Sequence, residues 1–258
     1  MNKLTRGIAL TTGLLFLGLW SATVAADQHK AKGAQQEMLA EMWVMVPKKG
    51  KMSELEQAMQ EHLKFRRSKQ DPREWRFYSP VLGSKLERIG VRAGGFTWKD
   101  MDSYRDWSME NGVSKHFQET AGEYLDHYHH YLSVEDYANS HWEPDVEYRY
   151  VGVTSYTPKM GHRQAIEKDK KMLADAAKAQ KWPYHWAFSN EVGGRGEMTL
   201  AVPYKNWGAM APPEEKFPAL LTKHMGSEEK AMELMERWSS HFEDIHYNIW
   251  ALRDDLME

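Results

Sequence analysis

The sequence contains no cysteine. Disulfide staples are therefore excluded, as are a thiolate nucleophile, a thiolate metal site and a lipid carried on a cysteine. The core must hold the fold alone. A strong charge of one sign is also missing, since 34 Lys and Arg stand against 37 Asp and Glu. That balance gives no reason to expect nucleic acid or an anionic membrane as partner. Long apolar runs are absent beyond the first residues. No phosphate loop, nucleophile elbow, paired glycosidase carboxylates or His-Glu-x-x-His occurs. Gly193-Gly194-Arg195-Gly196 reads as a hairpin turn, not a nucleotide fingerprint, because a strand follows it rather than a helix.

The abundant residues are 11 Trp, 12 Tyr, 16 Met and 12 His. Aromatic and methionine side chains fill cores, and they also line cavities that accept apolar ligands.

The N-terminus has three parts. Met-Asn-Lys-Leu-Thr-Arg is a short basic start, Gly7 to Ala26 is uncharged with an apolar centre at Leu14-Leu15-Phe16-Leu17, and Ser21-Ala22-Thr23-Val24-Ala25-Ala26 is a small-residue end. This is the grammar of a secretory signal, with cleavage expected after Ala26 and a periplasmic or secreted product. An uncleaved anchor is the competing reading, but the threonines, glycines and small-residue end argue against it. Losing Lys3 and Arg6 takes 34 basic residues to 32 against 37 acidic, moving the net charge from −3 to −5. The expectation is a soluble mature chain with no membrane partner.

Compared with itself, the chain repeats. Glu41 to Val46 is a strand-like run ending in Pro47-Lys48-Lys49-Gly50, and Tyr148 to Thr157 is another, ending in Pro158-Lys159-Met160-Gly161. Each turn leads into a helical stripe: Met52, Leu55, Met59, Leu63 and Arg66 in one, Ala165, Ile166, Met172, Leu173, Ala176 and Ala177 in the other. Ser53 with Glu56 has the spacing of a capping box. Two strands follow in each copy, Trp75 to Ser79 matching His185 to Ser189 and Val91 to Trp98 matching Glu197 to Tyr204. Each copy then closes on an apparent long amphipathic helix, with stripes Val113 to Tyr131 and Ala231 to Ile249. A short last strand, Tyr137 to Trp142, follows in the first copy. The reading is residues 1–26 signal, 27–38 linker, 39–143 first repeat and 144–258 second repeat.

Strand, helix, strand, strand, helix is the split βαβ or ferredoxin-like order, an α+β class. A single such sheet leaves one face bare, and two copies can bury those faces against each other. The pattern resembles the dimeric α+β barrel superfamily, which includes antibiotic-biosynthesis monooxygenases and chlorite dismutase-like proteins. The resemblance implies two ferredoxin-like units packed sheet to sheet as a fused barrel around a ligand space. It is one of element order, so it transfers no catalytic residue and no proximal histidine for a haem.

The candidate residues carry two readings each. His127 and His130, three apart in the expected helix, could hold a metal, yet His127 matches His246 at the edge of a stripe and packing explains both, so no metal site is assigned. In Trp182-Pro183-Tyr184-His185-Trp186-Ala187-Phe188, alternate residues share a face. His185 is a hydrogen-bonding group if that face is inward and a structural histidine otherwise. Lys99 and Lys205, in the shared Trp98-Lys99-Asp100 and Tyr204-Lys205-Asn206 strand ends, could meet an anion, but Asp100 and Asn206 read more simply as caps. The segment from Met210 to His224 could cover a mouth of the barrel or pack outside it. His185, Trp186, Trp98 and Tyr204 are the expected ligand-binding residues, because each joins aromatic area to a polar atom. Catalytic residues, cofactor and oligomeric state are not specified by the sequence. The expected function is binding of a small, largely apolar molecule in a barrel cavity. The alternatives are an oxygenase-like or haem-dependent enzyme and a partner-binding scaffold without a cavity.

Overall fold

A computed structural model describes residues 36–143 and 145–258. The secretory-signal expectation falls on residues outside that range. In the first half, β1 (Met38–Pro47), α1 (Met52–Ser68), β2 (Arg76–Leu82), β3 (Ile89–Thr97), α2 (Trp98–Glu110), α3 (Val113–Ala121) and β4 (Leu125–His141) follow in order. The second half supplies β5 (Tyr150–Pro158), α4 (Arg163–Ala179), β6 (Trp186–Val192), β7 (Met198–Tyr204), α5 (Phe217–Met225), α6 (Glu228–Ser240) and β8 (Phe242–Leu252).

Each half has the ferredoxin-like strand order, β4-β1-β3-β2 and β8-β5-β7-β6, but the expectation of two sheets packed face to face is corrected. β4 pairs antiparallel with β6, with Leu132 opposite Val192 and Asp136 opposite Phe188. β2 pairs antiparallel with β8, with Tyr78 opposite Leu252. The two sheets are therefore joined edge to edge by hydrogen bonds into one ring of eight strands, closed where β4 meets β1. The physical reason is the length of β4, 17 residues. It pairs with β1 at one end and reaches the other half's β6 at the other, so no open edge is left.

That strand also corrects the expected closing helices. The helices stop at Ala121 and Ser240, and β4 and β8 begin a few residues later. Tyr124, Tyr128 and Tyr131 imitate a helical stripe, but the segment is built of Tyr, His and Val and runs with period two. His127, His129 and Tyr131 face the interior of the ring, while Tyr128 and His130 lie on the helix side against Trp43. An apparent i,i+3 histidine pair is thus split across a sheet.

The helices cover the outside. α1 presents Leu55, Ala58, Met59, His62 and Leu63 to the sheet at helical spacing. It starts at Met52 with no side-chain cap, so the Ser53–Glu56 capping box is not formed; Glu56 instead accepts from Arg253 at 2.6 Å. The cap of α2 is Thr97 rather than the expected Asp100, which lies at the third helical position and completes a capping box, its carboxylate accepting from the Thr97 amide and hydroxyl at 2.8 Å each. Asn206 is the N-cap expected, its side-chain oxygen accepting from the Ala209 amide at 3.0 Å. The segment after Met210 becomes α5, whose Leu220 and Leu221 are buried on the helix side rather than over a mouth.

The halves share backbone details. Lys48 N donates to Tyr124 O at 2.8 Å, and Lys159 N to His241 O at 2.9 Å. Gln70 and Lys181, just past α1 and α4, are both left-handed, with φ of 56° and 54°. This register places Trp75 over Trp186 and Phe77 over Phe188.

Candidate active site

Between the helix layer and the outer face of the first half's sheet lies a pocket of about 450 Å³. Its walls are Trp43 and Met45 from β1, Met59 from α1, Val91 from β3, and Phe117 from α3, an aromatic and methionine surface suited to a small apolar ligand.

Polar groups converge at one end. Arg66 is held by Asp71, Nε to Oδ2 at 2.6 Å, and its Nη2 donates to the Tyr104 hydroxyl. Trp75 Nε1 donates to the same Asp71 oxygen at 3.0 Å. The guanidinium lies 4.9 Å from the Trp75 ring, within cation–π range. Burial raises the Tyr104 phenol to about 12 despite the nearby Arg66, so it is a neutral donor at physiological pH. His62 is 4% exposed. Its burial, helped by the charge of Arg66 and by His116, depresses its pKa to about 3, and it is neutral.

A second buried cluster backs the wall. Glu41, 6% exposed, accepts from Arg73, from Trp43 Nε1 at 2.9 Å and pairs with His130 Nε2 at 2.7 Å. Burial would raise this carboxyl, but hydrogen bonds and charge from His130, Arg73 and Trp43 together hold it below its ordinary value. Arg73 is sandwiched between Phe96 and Tyr104, 3.7 and 3.5 Å from the ring centroids.

A haem iron would need a histidine nitrogen free to ligate. His62 is the histidine lining this pocket, and its Nδ1 lies 3.1 Å from His116 Nδ1 while its Nε2 faces the Arg66 guanidinium at 3.5 Å. A cation already occupies the approach to Nε2, so this donor set does not fit haem ligation. Among the described residues no group of three or more His, Asp or Glu side chains is placed to hold a metal ion.

The inside of the ring is a separate space of about 1560 Å³ lined by strands from both halves. The structure does not bring the four expected ligand residues together on either surface. His185 is stacked on His141 at 5.1 Å beside the interior, and its Nδ1 is buried without a hydrogen-bond partner. Trp186 faces the opposite way, into the second half's core, donating to Asn139 O at 2.8 Å. Trp98 begins α2 on the surface and donates to Glu37 at 2.9 Å. Tyr204 lies on the helix side of β7, beside Tyr184 at 5.9 Å. Lys205 pairs with Glu147 at 3.0 Å.

Sequence reasoning missed Glu41, His62, Arg73 and Tyr104 as site residues. One signal was available: Arg66 sits on the apolar stripe of α1, and Glu41 opens an otherwise apolar strand. A charge at a core position has to be paired or functional.

No protein-family model matches the sequence, and no curated protein matches it either. Solved structures do. A candidate monooxygenase from Lactobacillus acidophilus aligns with TM-score 0.54 at 8% identity, over 84% of this chain and 94% of that one. An anthrone oxidase-like protein aligns at 0.51 and 10% identity, over 84% and 91%. A chlorite dismutase variant from Candidatus Nitrospira defluvii aligns at 0.53 and 8%, over 85% and 94%. The fold is the ferredoxin-like arrangement shared by monooxygenase-like and chlorite-dismutase-like proteins. At these identities the likeness is one of fold.

Proposed function

We propose that the protein is an oxygenase-like enzyme acting on a small, largely apolar aromatic molecule bound in the first half's helix–sheet pocket. The observation that carries this reading is the pairing of an aromatic and methionine wall with the half-buried Arg66–Tyr104 couple at its end. A structural core would have been filled there. A substrate with an acidic phenol or enol would set its oxygen against Arg66 and Tyr104. In a site of low dielectric a guanidinium stabilises the resulting anion far more than water does. The substrate's proton leaves to solvent as the anion forms; the anion's CH carbon then adds dioxygen and takes up a proton to give a hydroperoxide, which loses water to leave a new carbonyl, within the apolar wall. His62, neutral and held by His116, positions Arg66 without competing for charge. The signal-like pattern of the N-terminal sequence supports a location in the periplasm or outside the cell.

The fold shared with the anthrone oxidase-like protein makes anthrone a rational first substrate. Oxygen uptake would be followed with anthrone and related polycyclic phenols, for the wild type and for Arg66→Met and Tyr104→Phe. The expected result is uptake by the wild type, lowered about a hundredfold in Arg66→Met, the range for loss of one oxyanion-stabilising donor. Equal uptake by Arg66→Met, or none by the wild type with any of these substrates, rejects the reading. The haem-dependent alternative lacks a fitting ligand here, and a strong visible absorption band in the purified protein would restore it.

A further inference from the structure

Eight-stranded barrels of this size are ordinarily filled by side chains. Here many inward positions carry small residues, including Val44, Ser133, Val151, Val153 and Ser189, which leave the 1560 Å³ interior open. One region of that interior is charged. Arg88 and Glu197 both line it, and each has a buried side-chain atom without a hydrogen-bond partner, Nε and Oε1 respectively. Glu197 is 7% exposed, and the largely exposed Arg195, 3.3 Å away, is out of line for a hydrogen bond to it. Arg88 has only the ring of Trp250, 4.7 Å from its guanidinium carbon. Two neighbouring groups already have partners: Arg92 pairs with Glu135, and Glu191 accepts from the Arg195 and Glu197 amides at 3.2 Å each. Tyr131 stands among Arg88, Arg92, Glu191 and Glu197, whose charges all act on it, and burial pushes it up to about 12. Arg88 Nε and Glu197 Oε1 thus stand beside one neutral phenol with their hydrogen-bonding capacity unspent.

We propose that the ring interior is a second binding site, taking a small zwitterion whose carboxylate meets Arg88 and whose ammonium meets Glu197, an amino acid or short peptide. An anion alone would leave the buried Glu197 Oε1 without a hydrogen bond, since Arg195 balances its charge but is out of line, and a cation alone would leave Arg88 without a countercharge. The valines and Trp250 around them accept an apolar side chain. This site is on the other face of the sheet from the oxygenase pocket and does not depend on that reading.

Isothermal titration of the full chain with the twenty amino acids and a set of dipeptides tests it. The N-acetyl and C-amide forms of whichever binds are then titrated. The expected result is saturable one-to-one binding, weakened about tenfold or more by capping either end and by Arg88→Gln or Glu197→Gln. Ser189→Trp, which fills the chamber, should abolish binding, and Arg88→Gln keeps the test decisive if that variant does not fold. Oxygen uptake at the other pocket should be unchanged in Arg88→Gln. No binding by any zwitterion, equal binding by the capped forms, or binding undiminished in both charge variants would overturn the proposal.

Discussion

The two halves share a topology and differ in what lies between helices and sheet. In the second half that layer is solid. Tyr156, Trp186, Phe188, Leu234, Trp238 and Phe242 pack together, with rings such as Trp238 and Phe242 5.0 Å apart. The first half leaves a pocket in the same place. Matching positions explain the contrast: His62 faces Leu173 across the repeat, Arg66 faces Ala177 and Arg73 faces Tyr184. Glu41 corresponds to Gly152, where any Cβ would fall 2.2 Å from the Tyr247 hydroxyl. Tyr204 and Tyr247 thus fill the space that Glu41 and its partners organise in the first half. Both copies bury charge, the second as the Asp169–His241 and Lys170–Asp136 pairs within its packed layer, but in the first the buried charges surround a cavity, an arrangement that costs stability and is typical of sites.

Breaking each half should have different consequences. Trp238→Ala in the solid half should cost about 3–5 kcal/mol, the range for emptying a packed aromatic position, in denaturant unfolding, with ligand binding in the first half unchanged once folded. Glu41→Gln should cost a similar amount, about 3–5 kcal/mol, because it leaves Arg73 buried without its countercharge. Unlike Trp238→Ala, it should also weaken binding in the pocket it backs. Equal binding defects in the two variants would erase the distinction between the halves.

His62→Leu installs the second half's residue and sharpens the comparison through pH. His62 titrates near 3 when folded and near 6.5 when unfolded. Between these values the unfolded chain binds the proton first. The stability it supports is therefore full above about pH 6.5 and drains as pH falls toward 3, at up to about 1.4 kcal/mol per pH unit. The wild type should lose more stability than His62→Leu over that window in unfolding titrations, and parallel curves would contradict the assignment. The smallest effect is expected at the exposed start of α2. Asp100→Ala should cost about 1 kcal/mol through loss of its cap, with binding untouched.

Much of the fold was legible. The Pro-Lys-x-Gly turns, the strands before them, the helices after them and the cap at Asn206 are local features, and they recur where the structure has them. What was not legible depends on partners distant in the chain. β4 reads as a helix because its tyrosines fall at helical spacing, and only pairing with β1 and β6 decides otherwise. Joining the sheets by their edges rather than their faces follows from that same strand. The alignment of His185 with Trp75 was one residue off, because strand parity is set by the left-handed Gln70 and Lys181 ahead of it. The site was hardest. Glu41, His62, Arg66, Arg73 and Tyr104 come from four different segments, and the i,i+4 spacing of His62 and Arg66 on α1 is the one local relation among them.

The central claim is that the first half's helix–sheet pocket, and not its packed counterpart, holds the substrate. A crystal structure of the protein soaked with anthrone under anaerobic conditions tests it most directly. The account predicts the ligand between Trp43 and Phe117, with its oxygen against Arg66 and Tyr104. A ligand seated in the second half, or confined to the ring interior with the first-half pocket bare, would contradict it.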